Sequence, residues 1–333
     1  MSGARAALAL AAILGVAAPG LGATHLLVVS GLGGDEVYGE AFHRWSLAVL
    51  DGALEAGLPA SDLAYLAAEP VRDSERIDGE SRATVIASTL REMAARAGED
   101  GELWLVMFGH GSTRGAEPTV NLPGPDLSGG ELAALLDELR VKRVVVVNAS
   151  SASGDFVRLL SGPGRAIVTA TRSVTERHAP VFGGFFSEAF KDGGADVDKD
   201  RRVSLLEAFE YARAAVERSF AGDQRLATEH ALLDDNGDGS GSMTPAREGD
   251  GDGVVASRLF LGAGSARAAA LSPELARLAL RKGELEDRVA ELRGRKDSLD
   301  ETLYLEELES LLLDLARTNA EIERLQGAEE GSG

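Results

Sequence analysis

Four short apolar runs, at residues 25–29, 103–108, 144–147 and 166–169, alternate with stretches at 41–55, 81–97 and 130–139 in which apolar residues recur three and four positions apart. Continuous β-branched runs of this length suit strands covered on both faces, and the longer period suits amphipathic helices packed against them. The alternation predicts an α/β fold, a doubly wound and mostly parallel sheet with helices on both sides, over residues 24–192. In such sheets ligands gather at the carboxyl ends of the strands, so chemistry is expected just after each run.

The two ends of the chain follow other patterns. Arg5, an apolar run at 6–18 and the small residues of Leu21-Gly22-Ala23 predict a secretory signal peptide over 1–23 and a periplasmic or secreted mature chain. Near the other end Leu278, Leu285, Leu292 and Leu299 recur every seventh residue with Val289 between them, and Leu308, Leu311, Leu315, Ile322 and Leu325 continue the stripe. Ser272-Pro273 reads as a helix start, and Ser298 followed by Glu301 as a capping box that starts a second helix. A coiled-coil hairpin is therefore expected over 269–327, with a disordered tail at 328–333. Its apolar stripe is expected to pair within the hairpin or to serve a partner, either a second copy or another envelope protein.

Charge and composition narrow the functional classes. A net charge of −20 and a pI near 4.7 repel phosphate backbones and anionic headgroups, which argues against nucleic-acid and membrane-surface binding. Cysteine is absent, so there is no disulfide, no thiolate metal site and no thiol nucleophile.

Three strand ends carry polar or glycine-rich loops. Gly31-Leu32-Gly33-Gly34-Asp35-Glu36 lacks the third glycine of a dinucleotide loop and reads as a tight turn. Gly109-His110-Gly111-Ser112 sets an imidazole between glycines directly after a buried run, a general-base position. Asn148-Ala149-Ser150-Ser151-Ala152-Ser153-Gly154 follows the next run. A GxSxG elbow is missing, so an α/β-hydrolase arrangement gains nothing.

With these two loops in this order, the chain resembles the legumain-like and caspase-like cysteine peptidases over residues 24–190. In that clan one strand ends in His-Gly and the next in the nucleophilic cysteine. Here the His-Gly motif is His110-Gly111, and serine stands at the cysteine position, as Ser150 counted from the strand or Ser151 counted back from Ser153-Gly154. The resemblance implies a caspase-like fold in which His110 manages protons and the Gly111 N–H helps to hold an oxyanion. A serine hydroxyl needs a base in contact and an oriented histidine, whereas a thiol ionises near neutrality. The resemblance therefore implies a pseudopeptidase that binds peptide or protein. The alternatives are a hydrolase using Ser150 or Ser151 with His110, and a structural envelope protein assembled through its coiled coil.

An acidic region at 193–268 is expected to complete the domain. Asp196, Asp198, Asp200, Ser204 and Glu207 fall at positions 1, 3, 5, 9 and 12 of a twelve-residue loop, the EF-hand spacing for calcium, with Arg201 in place of the usual glycine. Asp234, Asn236 and Asp238 offer a second, irregular cation loop in which Pro245 replaces the closing glutamate, with Asp250 and Asp252 nearby.

Overall fold

The computed structural model describes residues 23–176, 181–191, 194–198, 200, 202–222, 228–262, individual positions between 274 and 292, and 300–330. The first half runs β1 (Thr24–Ser30), α1 (Glu36–Glu55), β2 (Leu63–Ala67), β3 (Gly79–Glu80), α2 (Ala83–Ala97), β4 (Glu102–Phe108), β5 (Gly111–Arg114), β6 (Glu117–Val120) and β7 (Leu127–Ser128). It continues with α3 (Gly129–Glu138), β8 (Arg143–Asn148), α4 (Phe156–Leu160), β9 (Arg165–Thr169), α5 (Phe182–Glu188), α6 (Leu205–Gly222), β10 (Leu232–Asp234) and α7 (Glu301–Glu330).

Seven strands form one sheet in the order β10-β9-β8-β4-β1-β2-β3, parallel throughout except where β10 runs against β9. The central strands are apolar along their middles because alternate residues enter two different cores. Leu26, Val28, Trp104, Val106, Val145 and Val147 pack with Phe42, Val49, Phe182, Phe186, Leu205 and Phe209 of α1, α5 and α6. Leu27, Val29, Leu103, Leu105, Met107, Val144 and Val146 pack with Ile86, Leu90, Leu132, Leu136, Phe156 and Leu160 of α2, α3 and α4. Each such side chain contributes about 1.5–3 kcal/mol on burial.

Several boundaries differ from the pattern's expectation. α1 starts at Glu36, before the apolar period begins, because the Asp35 carboxylate accepts from the Tyr38 N–H and caps the helix. α3 starts through a capping box in which Ser128 and Glu131 satisfy each other's backbone. The pattern missed β2, the β5–β7 meander and β10, which are too short to show a period. β10 ties the acidic region into the sheet.

Leu285, Val289, Leu292, Tyr304 and Leu311 form a third core, with Leu308 and Leu315 packed on it, and Arg281 lies 3.9 Å from Asp314. The carboxylate of Asp300 accepts from the N–H groups of Thr302 and Leu303, so Asp300 caps α7; the expected cap Ser298 lies outside the described residues. α7 continues to Glu330, which makes residues 328–330 helical rather than tail, as suits Ala328, Glu329 and Glu330; 331–333 are outside the described residues. The expected signal segment also lies outside them, Ala23 excepted. Among the described residues no helix is long and apolar enough to cross a membrane.

Candidate functional site

β4 and β8 are neighbours with Met107 opposite Asn148, so the His110 loop and the serine loop leave the sheet side by side. Contact between them is close enough to require glycine. A Cβ on Gly111 would stand 2.1 Å from the Ser151 carbonyl oxygen and 3.1 Å from Ser150 Oγ. The Gly111 N–H donates to Ser151 Oγ at 3.0 Å, and that hydroxyl lies 3.4 Å from the Gly111 carbonyl oxygen. The N–H that the resemblance makes an oxyanion donor is thus spent on the serine itself.

Ser150 is fully buried, and both its N–H and its hydroxyl donate to Asn148 Oδ1, at 3.1 and 2.6 Å. Asn148 Nδ2 is buried with no partner among the described residues, at a cost of about 1–3 kcal/mol. Ala152 adopts φ 54°, a left-handed conformation costing about 1–2 kcal/mol in a residue with a Cβ. It is held there by its N–H, which donates to the Glu176 carbonyl at 2.9 Å. Strain and an orphaned donor in one loop at a sheet's carboxyl edge make this loop the candidate site.

The His110 ring takes its hydrogen-bond partner from the turn after β1. Its Nε2 lies 3.1 Å from the Gly33 carbonyl oxygen, which can only accept, so Nε2 carries the hydrogen. Tyr38 and Phe42 meet the imidazole edge-on, with centroids 4.8 and 5.3 Å away. Among the described residues no hydrogen bond joins His110 to Ser150 or Ser151. The glycine-rich turn after β1 therefore has a role the sequence did not disclose, since Gly33 orients the histidine. The expected catalytic set is brought together only in part: Gly111, Ser150 and Ser151 touch, and among the described residues no hydrogen bond links the His110 ring to the serines.

In the first acidic loop Asp196, Asp198 and Glu207 each bring a carboxylate oxygen within 4.8 Å of the others, a donor set that fits a hard cation. The other two expected donors have local partners. Asp200 pairs with Arg202 at 2.8 Å, because an exposed carboxylate beside a guanidinium takes the local partner. The Ser204 hydroxyl donates to Glu207 Oε2 at 2.8 Å while accepting from the Glu207 N–H, a capping box that opens α6. Arg247 donates to Asp198 at 2.5 Å and to Glu207 Oε1 at 2.7 Å. Burial is the largest single influence on Asp198 and raises its pKa, but the Arg247 hydrogen bond, the Asp200 N–H and the charges of Arg247 and Arg202 together bring the net direction down.

In the second loop the three expected donors make local bonds. Asp234 accepts from the N–H groups of Gly237 and Gly239, Asn236 from Asp238 and Asp238 from Ser240, so each of the three closes a turn. Among the described residues only the 196/198/207 set brings together three His, Asp or Glu side chains as possible ligands. Asp235, absent from the expected set, is buried and accepts from Gly253 and Ala256. Burial, with Asp234 and Asp235 close by, pushes Asp252 up to about 6.

A cavity of about 180 Å³ lies at the same edge of the sheet, lined in part by Glu229 and His230. His230 Nδ1 lies 2.6 Å from Glu176 Oε1, and the other oxygen of Glu176 accepts from the His230 N–H. Glu176 thereby connects Ala152 of the serine loop to this cavity. Sequence reasoning missed the pair because its members lie 54 positions apart.

No family model matches the chain. No curated protein matches it either. Among solved structures the chain is similar to the crystal structure of protein GSU0716 from Geobacter sulfurreducens, with 13% identity, 67% of this chain and 95% of that chain covered, and a TM-score of 0.43.

Proposed function

We propose that this chain is a caspase-like peptidase scaffold without peptidase chemistry, which works by binding a peptide or protein and is stabilised by calcium at residues 196–207. The observation that carries the reading is the occupation of the catalytic parts: the Gly111 N–H is bonded to Ser151, and the His110 ring to Gly33. A serine at this edge gains nucleophilicity only from a base in hydrogen-bond contact, and among the described residues no base bonds to it. Support for the scaffold comes from a mostly parallel sheet with a His-Gly turn and a small polar loop at the ends of adjacent strands. Three converging carboxylates support the cation. The leader-like residues 1–23 favour a periplasmic or secreted setting.

The competing reading is a serine hydrolase, favoured by the contact between Ser151 and the His110-Gly111 turn. Incubation of the full chain with a fluorophosphonate probe and with a mixed peptide library separates the two. The proposal expects neither labelling nor cleavage. Labelling of Ser151 that is lost on His110→Ala establishes the hydrolase instead.

A further inference from the structure

The cavity at the sheet's edge has an electrostatic imbalance that the peptidase resemblance does not use. β10 runs against β9 with Leu232 opposite Thr169, so residues 229–231 lie beyond the carboxyl end of β9. Their cavity is closed on one side by Phe182 at the start of α5 and on another by Arg213 and Val216 of α6. Its walls are largely apolar, with Phe182, Val216, Ala231 and Met243 among them.

Among the described residues that line it, the charges pair off with one exception. From α6, Arg213 and Glu217 join at 2.6 Å. From the loops, His230 and Glu176 join at 2.6 Å, and Arg172 also reaches Glu176. Phe182 of α5 and the Met243-Thr244 side line it without charge, and Glu188 at the far end of α5 is exposed. What remains is Glu229, 7% exposed, whose oxygens accept from the N–H groups of Val181 and Phe182 at 2.9 and 2.8 Å. Among the described residues no cation pairs with it. A buried carboxylate held by two N–H donors is oriented, yet its charge stays uncompensated.

We propose that this cavity is a binding site for a primary ammonium group carried on an apolar stem, with the ammonium on Glu229 and the stem against Phe182, Val216 and Met243. An alkylammonium supplies both missing elements, a cation for the carboxylate and apolar surface for the walls. A volume of about 180 Å³ holds on the order of six waters, which is room for a short alkyl chain. The protein's net charge of −20 concentrates such cations near its surface. Burial, opposed by the two N–H bonds and reinforced by Glu176, pushes Glu229 up to about 7. Binding of a cation therefore favours the ionised carboxylate and strengthens as pH rises through neutrality. The site stands whether or not the scaffold binds peptides elsewhere.

Calorimetric titration of the full chain with n-butylammonium, n-butanol and butyrate tests the assignment, and N-acetyl-Ala-Lys-Ala-amide asks whether a lysine side chain is accepted as well. The expected result is saturable binding of butylammonium, about tenfold tighter at pH 8 than at pH 6, with the alcohol and the acid at least tenfold weaker. Binding of the peptide assigns a protein source, and binding of the free amine alone assigns a small amine; both uphold the site. Glu229→Gln should lose at least tenfold in affinity. Should that variant fail to fold, Val216→Phe, which fills the cavity and leaves the carboxylate in place, should abolish binding. An amine that binds no better than its alcohol, or binding unchanged in Val216→Phe, overturns the proposal.

Discussion

The guanidinium of Arg247 donates to Glu207 Oε1 at 2.7 Å, so a side chain forty positions away neutralises a carboxylate that is 1% exposed. It also donates to Asp198, which puts one cation on two of the three converging carboxylates of the acidic loop.

Arg247 and calcium then compete for the same oxygens. Arg247→Gln should lower cation-free stability by about 1–2 kcal/mol, a modest loss because the guanidinium is partly exposed and Glu207 keeps its N–H donors. The same variant should bind calcium several-fold more tightly and gain more melting temperature from it than the native chain. Scanning calorimetry with chelator and with calcium checks both, and a melting curve insensitive to calcium in both proteins removes the cation from the reading.

Gly111→Ala should be costly although it adds one methyl group. Its Cβ would stand 2.1 Å from the Ser151 carbonyl oxygen, backbone that yields only if the two loops separate. Urea denaturation should show a loss of about 1–3 kcal/mol, the range for overpacking. Gly115→Ala, where nothing lies within 4 Å, should cost less, through its φ of 66° alone.

Glu229 makes stability depend on pH near neutrality. Its folded pKa of about 7 lies above the ordinary carboxylate value, so the folded state binds the proton more tightly than the unfolded state. The contribution is fully present below about pH 4.5 and is lost as pH rises through about 7, on the order of 3 kcal/mol in all. Stability measured from pH 5 to pH 8 should fall more steeply in the native chain than in Glu229→Gln. Equal slopes would show that this carboxyl does not set them.

The C-terminal core shares no residue with the two sheet cores. A chain ending after residue 262 should therefore retain the unfolding midpoint of the sheet domain, while Leu285→Ala in the full chain should cost the hairpin about 2–5 kcal/mol. Leu303, Leu305, Leu312 and Leu313 of α7 stay exposed, so the full chain should self-associate and the shortened one should not. Sedimentation equilibrium of the two forms decides this; a monomeric full chain at high concentration rules out association through the hairpin.

By itself the sequence determined the layered α/β architecture, because apolar runs and helical periods are local patterns set by burial on two faces. It also determined which loops end β4 and β8, and hence that His110, Gly111, Ser150 and Ser151 stand at one edge. Only the tertiary structure decided what those residues do to one another. Whether His110 faces a serine or Gly33 depends on where the turn after β1 lies, and that turn is 77 positions away. In the second acidic loop the side chains of Asp234 and Asp238 accept from nearby N–H groups, bonds that spacing alone does not reveal. The first loop had the same kind of spacing, and its fate turned on Arg247, brought in by the fold. Hydrogen bonds and ion pairs form between groups that chain geometry brings together, so periodicity predicts the layers, and only the packed chain assigns the partners.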